Sequence, residues 1–478
     1  MIYENSVALE TALKGILEPA PHGRAVVKEP AAFRGPLTDS LVETAVFSER
    51  PEVRGWARFF LKQAAEALGV RLASIHTLYA AVGRGECGPF TVPAMNIRGL
   101  TYDTARAFYR AARRTDCGAY IFEIARTEMN YTSQRPHEYV AVLLGAALRE
   151  GFRGPLFVQG DHFQASAKGY FADPEKELAG LRALIEEALA AGFYNIDIDS
   201  STLVVLDRPT LSAQQQDNAA VCAELTHFIR EKEPEGVRVS IGGEIGEVGG
   251  HNSTVEEFEA FMEDYLPLLG GAEPIKKISV QTGTSHGGVV LPDGSIAKVK
   301  LDFDVLKAIS SVARERYGMG GTVQHGASTL PDDLFHKFPE NGAVEVHLAT
   351  GFQNLVYDHP SLPADFKARV YAHLDRTFAS ERKAGETDEQ FHYKTRKKGF
   401  GGPLKREWWG LSATIREELG AALEEKFAFL IGQLGVAGSR ETVERFVAPP
   451  PLVPDLEAEI AAASAVVVEK AEASPRAD

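Results

Sequence analysis

The stretch "GPLFVQGDH", residues 154–162, sets the apolar run Leu156-Phe157-Val158 almost directly against an acid and an imidazole, Asp161 and His162. Short apolar runs bounded by Gly and Pro read as buried strands. A strand apolar on both faces belongs to a parallel sheet covered by helices. The same pattern recurs in "TVPAMNI" (91–97), "GAYIFEIA" (118–125), "YNIDIDSS" (194–201), "VRVSIGGEIG" (237–246), "IKKISVQTG" (275–283), "GGTVQHGAS" (320–328) and "AVEVHLAT" (343–350). Helical patterns such as "DTARAFYRAARR", "EYVAVLLGAALREG" and "EKELAGLRALIEEALAAG" separate the runs. Strand–helix alternation specifies an α/β fold with a parallel sheet. Eight units in about 260 residues favour a closed (β/α)8 TIM barrel over an open doubly wound sheet.

The barrel accounts for residues 85–380. Residues 1–84, with "ENSVALETALKGIL" and "VRGWARFFLKQAAEALG", read as a mainly helical N-terminal extension. Residues 381–448 hold a basic stretch, "YKTRKKGFGGPLKREWW", and a long helix near 411–434 expected to pack on the barrel or on a partner subunit. Residues 449–478 read as a Pro-rich, weakly ordered tail.

Composition narrows the function classes. The chain has 478 residues and a formal net charge of −15, which argues against a nucleic-acid footprint but leaves room for a local cationic pocket. Cys87, Cys117 and Cys222 are far apart and in no metal-like spacing, as in a protein of the reducing cytoplasm. The start "MIYENSVALETALKG" lacks the basic and apolar segments of a secretory signal. No run approaches the length of a membrane span, so neither membrane nor nucleic acid is an expected partner.

In a barrel enzyme the chemistry sits at the carboxyl ends of the strands. Those ends carry Asp161-His162, Asp199 with Ser201, Glu244, His286, His325 and His347. Three histidines converging there make an open Zn2+ site, with Glu244 near enough to rotate in. Any one of them read alone is as well explained by a structural hydrogen bond. Glycines directly after His286 and His325 let backbone N–H groups approach an anion, or simply form tight turns. Adjacent residues on an extended strand face opposite sides, so Asp161 and His162 serve one site only where the strand ends or bends.

In order and spacing, "TVPAMNI", "GDHF", "FYNIDIDSS", "GEIGEVGG", "GTSHGG" and "QHGAS" resemble the class II, zinc-dependent fructose-bisphosphate aldolases and their tagatose-bisphosphate relatives. The resemblance covers about residues 85 to 355. It implies zinc held by His162, His286 and His325, with Glu244 as alternative ligand and Asp161 as acid/base. Gly287, Gly326 and Ser328 would line a phosphate pocket, and Asn96, Asp199 and Ser201 would position hydroxyls or the ligand shell. A monovalent cation beside the glycine loops and a homo-oligomer, dimer or tetramer, are also implied.

The sequence departs from the family at several points. His251 and Asn252 stand where the family has an acidic mobile loop, so His251 is a candidate proton carrier as well as a plain loop residue. The family's strand-8 "NIDT" becomes His347-Leu348-Ala349-Thr350, keeping Thr350 and placing His347 against the substrate. Arg126, beside Glu123 and Glu128, is a candidate anion ligand or one half of an ion pair. Lys397, Lys398, Lys405 and Arg406 offer a second phosphate contact or a solvated face. The expected activity is zinc-dependent cleavage or formation of the C3–C4 bond of a ketose (bis)phosphate, such as fructose 1,6-bisphosphate, through a metal-stabilised enediolate. The alternative is a zinc-dependent epimerase acting on a ketose or ketose phosphate.

Overall fold

A computed structural model describes residues 1–20, 24–246, 251–283, 291 and 301–465. Its strands in chain order are β1 (Leu17–Pro19), β2 (Ala25–Val27), β3 (Val70–Ala73), β4 (Val92–Asn96), β5 (Ile121–Ala125), β6 (Gly154–Gln164), β7 (Asn195–Asp199), β8 (Ser240–Glu244), β9 (Lys277–Val280), β10 (Gly321–Gln324) and β11 (Ala343–Leu348). Strands β4 to β11 pair in parallel with their neighbours, and β11 returns to β4, closing an eight-stranded barrel. All eight predicted strands are barrel strands. Helices follow outside, among them Thr101–Arg114, Pro136–Glu150, Pro174–Ala191, Leu211–Lys232 and Phe303–Tyr317.

The N-terminal extension is helical over Ser6–Leu13, Thr38–Phe47 and Pro51–Leu68, and it adds strands that the sequence reading lacked. β1 and β2 form a small antiparallel hairpin. β3 joins the barrel sheet itself, pairing with the lower half of β6 through Val70↔Gly154 to Ala73↔Phe157. β7 takes over the same edge of β6 from Gln159 onward. Asn195, fully buried at the start of β7, fills this fork: its Oδ1 accepts from Ile75 N at 2.9 Å and its Nδ2 donates to the carbonyls of Ala73 and Val158 at 3.3 and 3.0 Å. Buried amides are retained where each polar atom finds a partner.

The C-terminal segments also pack. Helix Ala413–Gln433 lies along Thr101–Arg114, with Phe427 edge-on to Phe108 and Arg110–Glu424 paired at 2.6 Å. The basic stretch is mostly drawn inward, although Arg406 stays exposed. Lys405 is buried and reaches Glu138 at 2.5 Å, Lys398 pairs with Glu381 at 2.6 Å, and Arg406 donates to the Phe47 carbonyl. Part of the expected loose tail is ordered too: Leu456–Ser464 is a helix docked on Pro51–Leu68. Its Glu459, 2% exposed, meets Lys62 at 2.5 Å and His137 Nδ1 at 3.2 Å. Gly55 permits this approach, since a Cβ there would lie 2.7 Å from the Ile460 backbone. The Pro-rich lead-in hid a helix whose inward face carries a buried acid beside Ala463. Among the described residues no helix is long and apolar enough to cross a membrane, and the three cysteines are unpaired.

Candidate active site

The pair that the sequence singles out sits in a β-bulge. β6 and β7 are in register at Gly160↔Ile196 and again at Phe163↔Ile198, so Asp161 and His162 together oppose Asp197 alone. A bulge of this kind re-aims a side chain that regular alternation would send outward. His162 takes φ +41, the left-handed region that non-glycine residues occupy only under local compulsion. Phe163 packs back over Gly160, where a Cβ would lie 2.4 Å from the ring. The strand bends, as the shared-site expectation required.

Around the bulge the structure gathers His162, His325 and Glu244, whose ligand atoms lie within 4.8 Å of one another. His162 Nε2 and His325 Nδ1 are 3.0 Å apart. His162 Nδ1 turns to Asp199 at 3.0 Å and to Glu244 at 3.3 Å, and His325 Nε2 to Ser279 Oγ at 3.0 Å. Backing each imidazole with a carboxylate or hydroxyl fixes which nitrogen points at a bound ion. Burial opposes charge on His162, yet Asp161 and Glu244 hold its pKa well above the ordinary value. Glu244 is pushed up to about 7, first by burial and then by the Asp199 charge. Such a cluster attracts positive charge, and two imidazoles with a carboxylate are donors that suit a divalent ion such as zinc.

Asp161, 5% exposed, is clamped at both oxygens. Asn96 Nδ2 donates to Oδ2 at 2.8 Å, and His347 Nδ1 lies 3.1 Å from Oδ1. Burial alone would raise its pKa, but His162 and His347 hold it well below the usual carboxylate range. Asn96 is itself set by Glu128 at 2.7 Å, which also pairs with buried Arg98 at 2.6 Å. Asp199 accepts from Ser201 Oγ at 2.8 Å and from Gln164, so Ser201 holds the carboxylate behind His162.

The other predicted residues divide. Gly326, at φ +70, turns the chain out of β10, and Ser328 Oγ accepts from Ala349 N at 2.8 Å beside the buried Thr350, which opens helix Thr350–Asp358. Arg126 is drawn to Glu177 at 3.3 Å and not to Glu123 or Glu128. His251, whose side chain is 56% exposed, pairs with Glu257 at 2.7 Å, outside the cluster. His347, expected against substrate, is buried among carboxylates on both ring nitrogens. Its ring stands 4.2 Å from that of His325, so it joins the trio of converging imidazoles among the described residues. His286 and Gly287 lie outside the described residues.

The matching region of the sequence spans residues 77–394 and corresponds to the family described as fructose-bisphosphate aldolase class-II. The chain belongs to the class II fructose-bisphosphate aldolase family. No curated protein shows significant sequence similarity to this family member. Its barrel superposes on a fructuronate-tagaturonate epimerase, UxaE from Cohnella laeviribosi, with a TM-score of 0.52 at 13% identity, over 72% of this chain and 81% of that one. A probable tagatose 6 phosphate kinase from Sinorhizobium meliloti gives 0.50 at 16% identity, over 78% and 97%. A putative fructose-1,6-biphosphate aldolase from Coccidioides immitis gives 0.44 at 20% identity, over 76% and 97%. For the epimerase and the probable kinase, at such identities, the likeness is one of fold.

Of the polar residues directly beneath this cluster, sequence reasoning named only Glu123. Glu123, Gln159, Asp197, Lys277 and Glu345 are all buried. Each lies two positions before a residue at its strand's upper end, and residues two apart share a face. A charge inside an apolar run was the available signal.

Proposed function

We propose that the protein is a zinc-dependent class II aldolase that cleaves or forms the C3–C4 bond of a ketose (bis)phosphate. The observation that carries this reading is the bulge, which presents Asp161 beside a His162–His325–Glu244 cluster fit for a divalent ion. A divalent ion held there supplies a Lewis acid that stabilises negative charge developing on the substrate carbonyl. Asp161 takes the proton from the C4 hydroxyl as the bond breaks and returns it in condensation. Asn96 keeps the receiving carboxylate aimed, and Asp199 keeps His162 turned. Ser328 and Thr350 meet at the N-terminal end of helix Thr350–Asp358, just past the turn at Gly326, an arrangement suited to a phosphate.

One observation favours epimerisation as a second reading. Complete aldol cleavage leaves a three-carbon fragment that needs a proton at carbon, hence a second proton carrier. His251, the candidate for that task, is engaged with Glu257 away from the cluster. Breaking and remaking the same bond with the aldehyde turned over needs no proton at carbon, only one returned to the C4 oxygen. Incubating zinc-loaded protein with a panel of ketoses, ketose phosphates and ketose bisphosphates separates the two. Release of a triose phosphate supports the aldolase, a product of unchanged mass and altered stereochemistry supports the epimerase, and no conversion of any substrate overturns both.

A further inference from the structure

The seam between barrel helix Thr101–Arg114 and C-terminal helix Ala413–Gln433 is not closed by apolar packing alone. It holds a cavity of about 260 Å3, lined among others by Arg106, Arg110, Arg416, Asp103, Glu417 and Gly420. The missing side chain at Gly420 leaves room in front of a guanidinium, since a Cβ there would lie 3.3 Å from Arg110 Nη2. Each arginine is held along one edge. Arg106 Nε donates to Glu150 at 2.6 Å, and Arg110 donates through Nε to Glu424 at 2.6 Å and through Nη1 to Glu150 at 3.4 Å. Arg416 donates through Nε to the Leu411 carbonyl and through Nη1 to Asp103, both at 3.2 Å. Arg106 also lies 5.4 Å over the Tyr102 ring, which stacks on Trp409 at 6.2 Å.

The other edge of each guanidinium is left over. Nη2 of Arg106, of Arg110 and of Arg416 has no hydrogen-bond acceptor among the described residues. Asp103, Glu150 and Glu424 already accept from these arginines, and Glu417 stands exposed on the rim. Charge on the lining is balanced, with Asp103, Glu417 and Glu424 against the arginines, so net attraction does not choose an occupant. The surplus of donors does. A planar guanidinium fork matches the paired oxygens of a carboxylate or phosphate, and forks already fixed by ion pairs lose little freedom on binding. The volume falls below the roughly 300–1,000 Å3 of pockets for drug-sized ligands, which points to a small metabolite.

We propose that Arg106, Arg110 and Arg416 form a binding site for a small metabolite bearing a phosphate or carboxylate group, at the seam between the barrel and the C-terminal helix. The site shares no residue with the His162–His325–Glu244 cluster and stands whatever reaction the barrel performs. Arg110 belongs to the barrel helix and Arg416 to the C-terminal one, so an anion bridging them ties the two elements together. Glu417, on the rim, repels the same anion and limits its affinity.

Equilibrium dialysis of the full chain against radiolabelled inorganic phosphate, and in parallel against radiolabelled citrate, tests the site and tells the two ligand classes apart. Gly420→Asp sets a tethered carboxylate before Arg110 and is expected to raise Kd by about tenfold or more. Glu417→Gln removes one like charge from the exposed rim and is expected to lower Kd by roughly two- to fivefold. Should Gly420→Asp fail to fold by circular dichroism, Glu417→Gln decides alone. Binding that persists in Ser328→Ala while shifting in these variants upholds the seam site. Binding lost in Ser328→Ala but unmoved by the seam variants belongs to the phosphate locus of the proposed active site and overturns the inference. Failure of the wild-type chain to bind either anion overturns it as well.

Discussion

Asn96 Nδ2 donates to Asp161 Oδ2 across 2.8 Å, joining the end of β4 to the bulge of β6. The contact runs between strands separated by β5, so it crosses the barrel mouth rather than following a ladder. It fixes the carboxylate that the proposed chemistry uses. Asp161→Ala is expected to lower kcat by roughly 10²- to 10⁴-fold, the usual worth of a positioned acid–base group. Asn96→Ala leaves the carboxylate present but loosely aimed, and a fall of about 10²-fold in kcat with KM little changed is expected. Steady-state kinetics on the substrate found by the panel check both, and unchanged kcat in either removes the assigned role.

His325→Ala removes one of two facing imidazoles, and Asp199→Asn removes the acceptor behind the other. The first is expected to abolish metal binding at the His162–His325–Glu244 cluster. The second is expected to weaken affinity there by about 10- to 100-fold, as for other groups that orient a metal ligand. Competition with a chromophoric chelator measures both.

Gly160→Ala places a methyl 2.4 Å from the Phe163 ring, which cannot retreat without undoing the bulge. Overpacking of this kind costs typically about 1–3 kcal/mol. A lowered Tm together with weaker metal binding at the His162–His325–Glu244 cluster is expected, measured by thermal melts with and without zinc. A lowered Tm with unaltered metal affinity would show that the bulge does not depend on this glycine.

Glu459→Ala strips the partner from Lys62, which is itself buried. Leaving one member of a buried pair uncompensated costs roughly 3–5 kcal/mol. The same group sets an acid sensitivity. Burial alone would raise its pKa, but Lys62 and His137 outweigh burial and bring it to about 2, below the roughly 4.3 of an unfolded glutamate. A depressed folded pKa contributes stability that is complete above the unfolded value and lost as pH falls toward the folded one. Docking of helix Leu456–Ser464 is therefore expected to weaken between about pH 4.5 and 2. Limited proteolysis across that range reads it, and Glu459→Gln should remove the pH step.

The eight strands of the barrel and the Asp161–His162 pair were legible because both rest on local pattern: apolar runs, punctuating glycines and polar strand ends. β3 was not, since Val70–Ala73 is too short to separate from the amphipathic helix before it, and only its partner in β6 makes it a strand. Helix Leu456–Ser464 escaped for a related reason, its docking being decided by one buried acid that composition counts as solvent-facing. His347 was placed in the right neighbourhood with the wrong company. Its position at the end of β11 follows from the strand pattern, while all the carboxylates around it except Glu345 of its own strand come from β5, β6 and β7 and meet it only once the barrel closes.

The fork at β6 has a consequence for the order of folding. Val70–Ala73 leaves the ribosome well before Gly154–Phe157 exists to pair with it, and Asn195, which seals the junction, follows later still. Pairings so distant along the chain carry a high loop-closure cost and form slowly. β3 must therefore wait as an unpaired edge until about two-fifths of the chain has been made. Residues 70–73 supplied as a separate peptide to a chain lacking them offer a way to time that step.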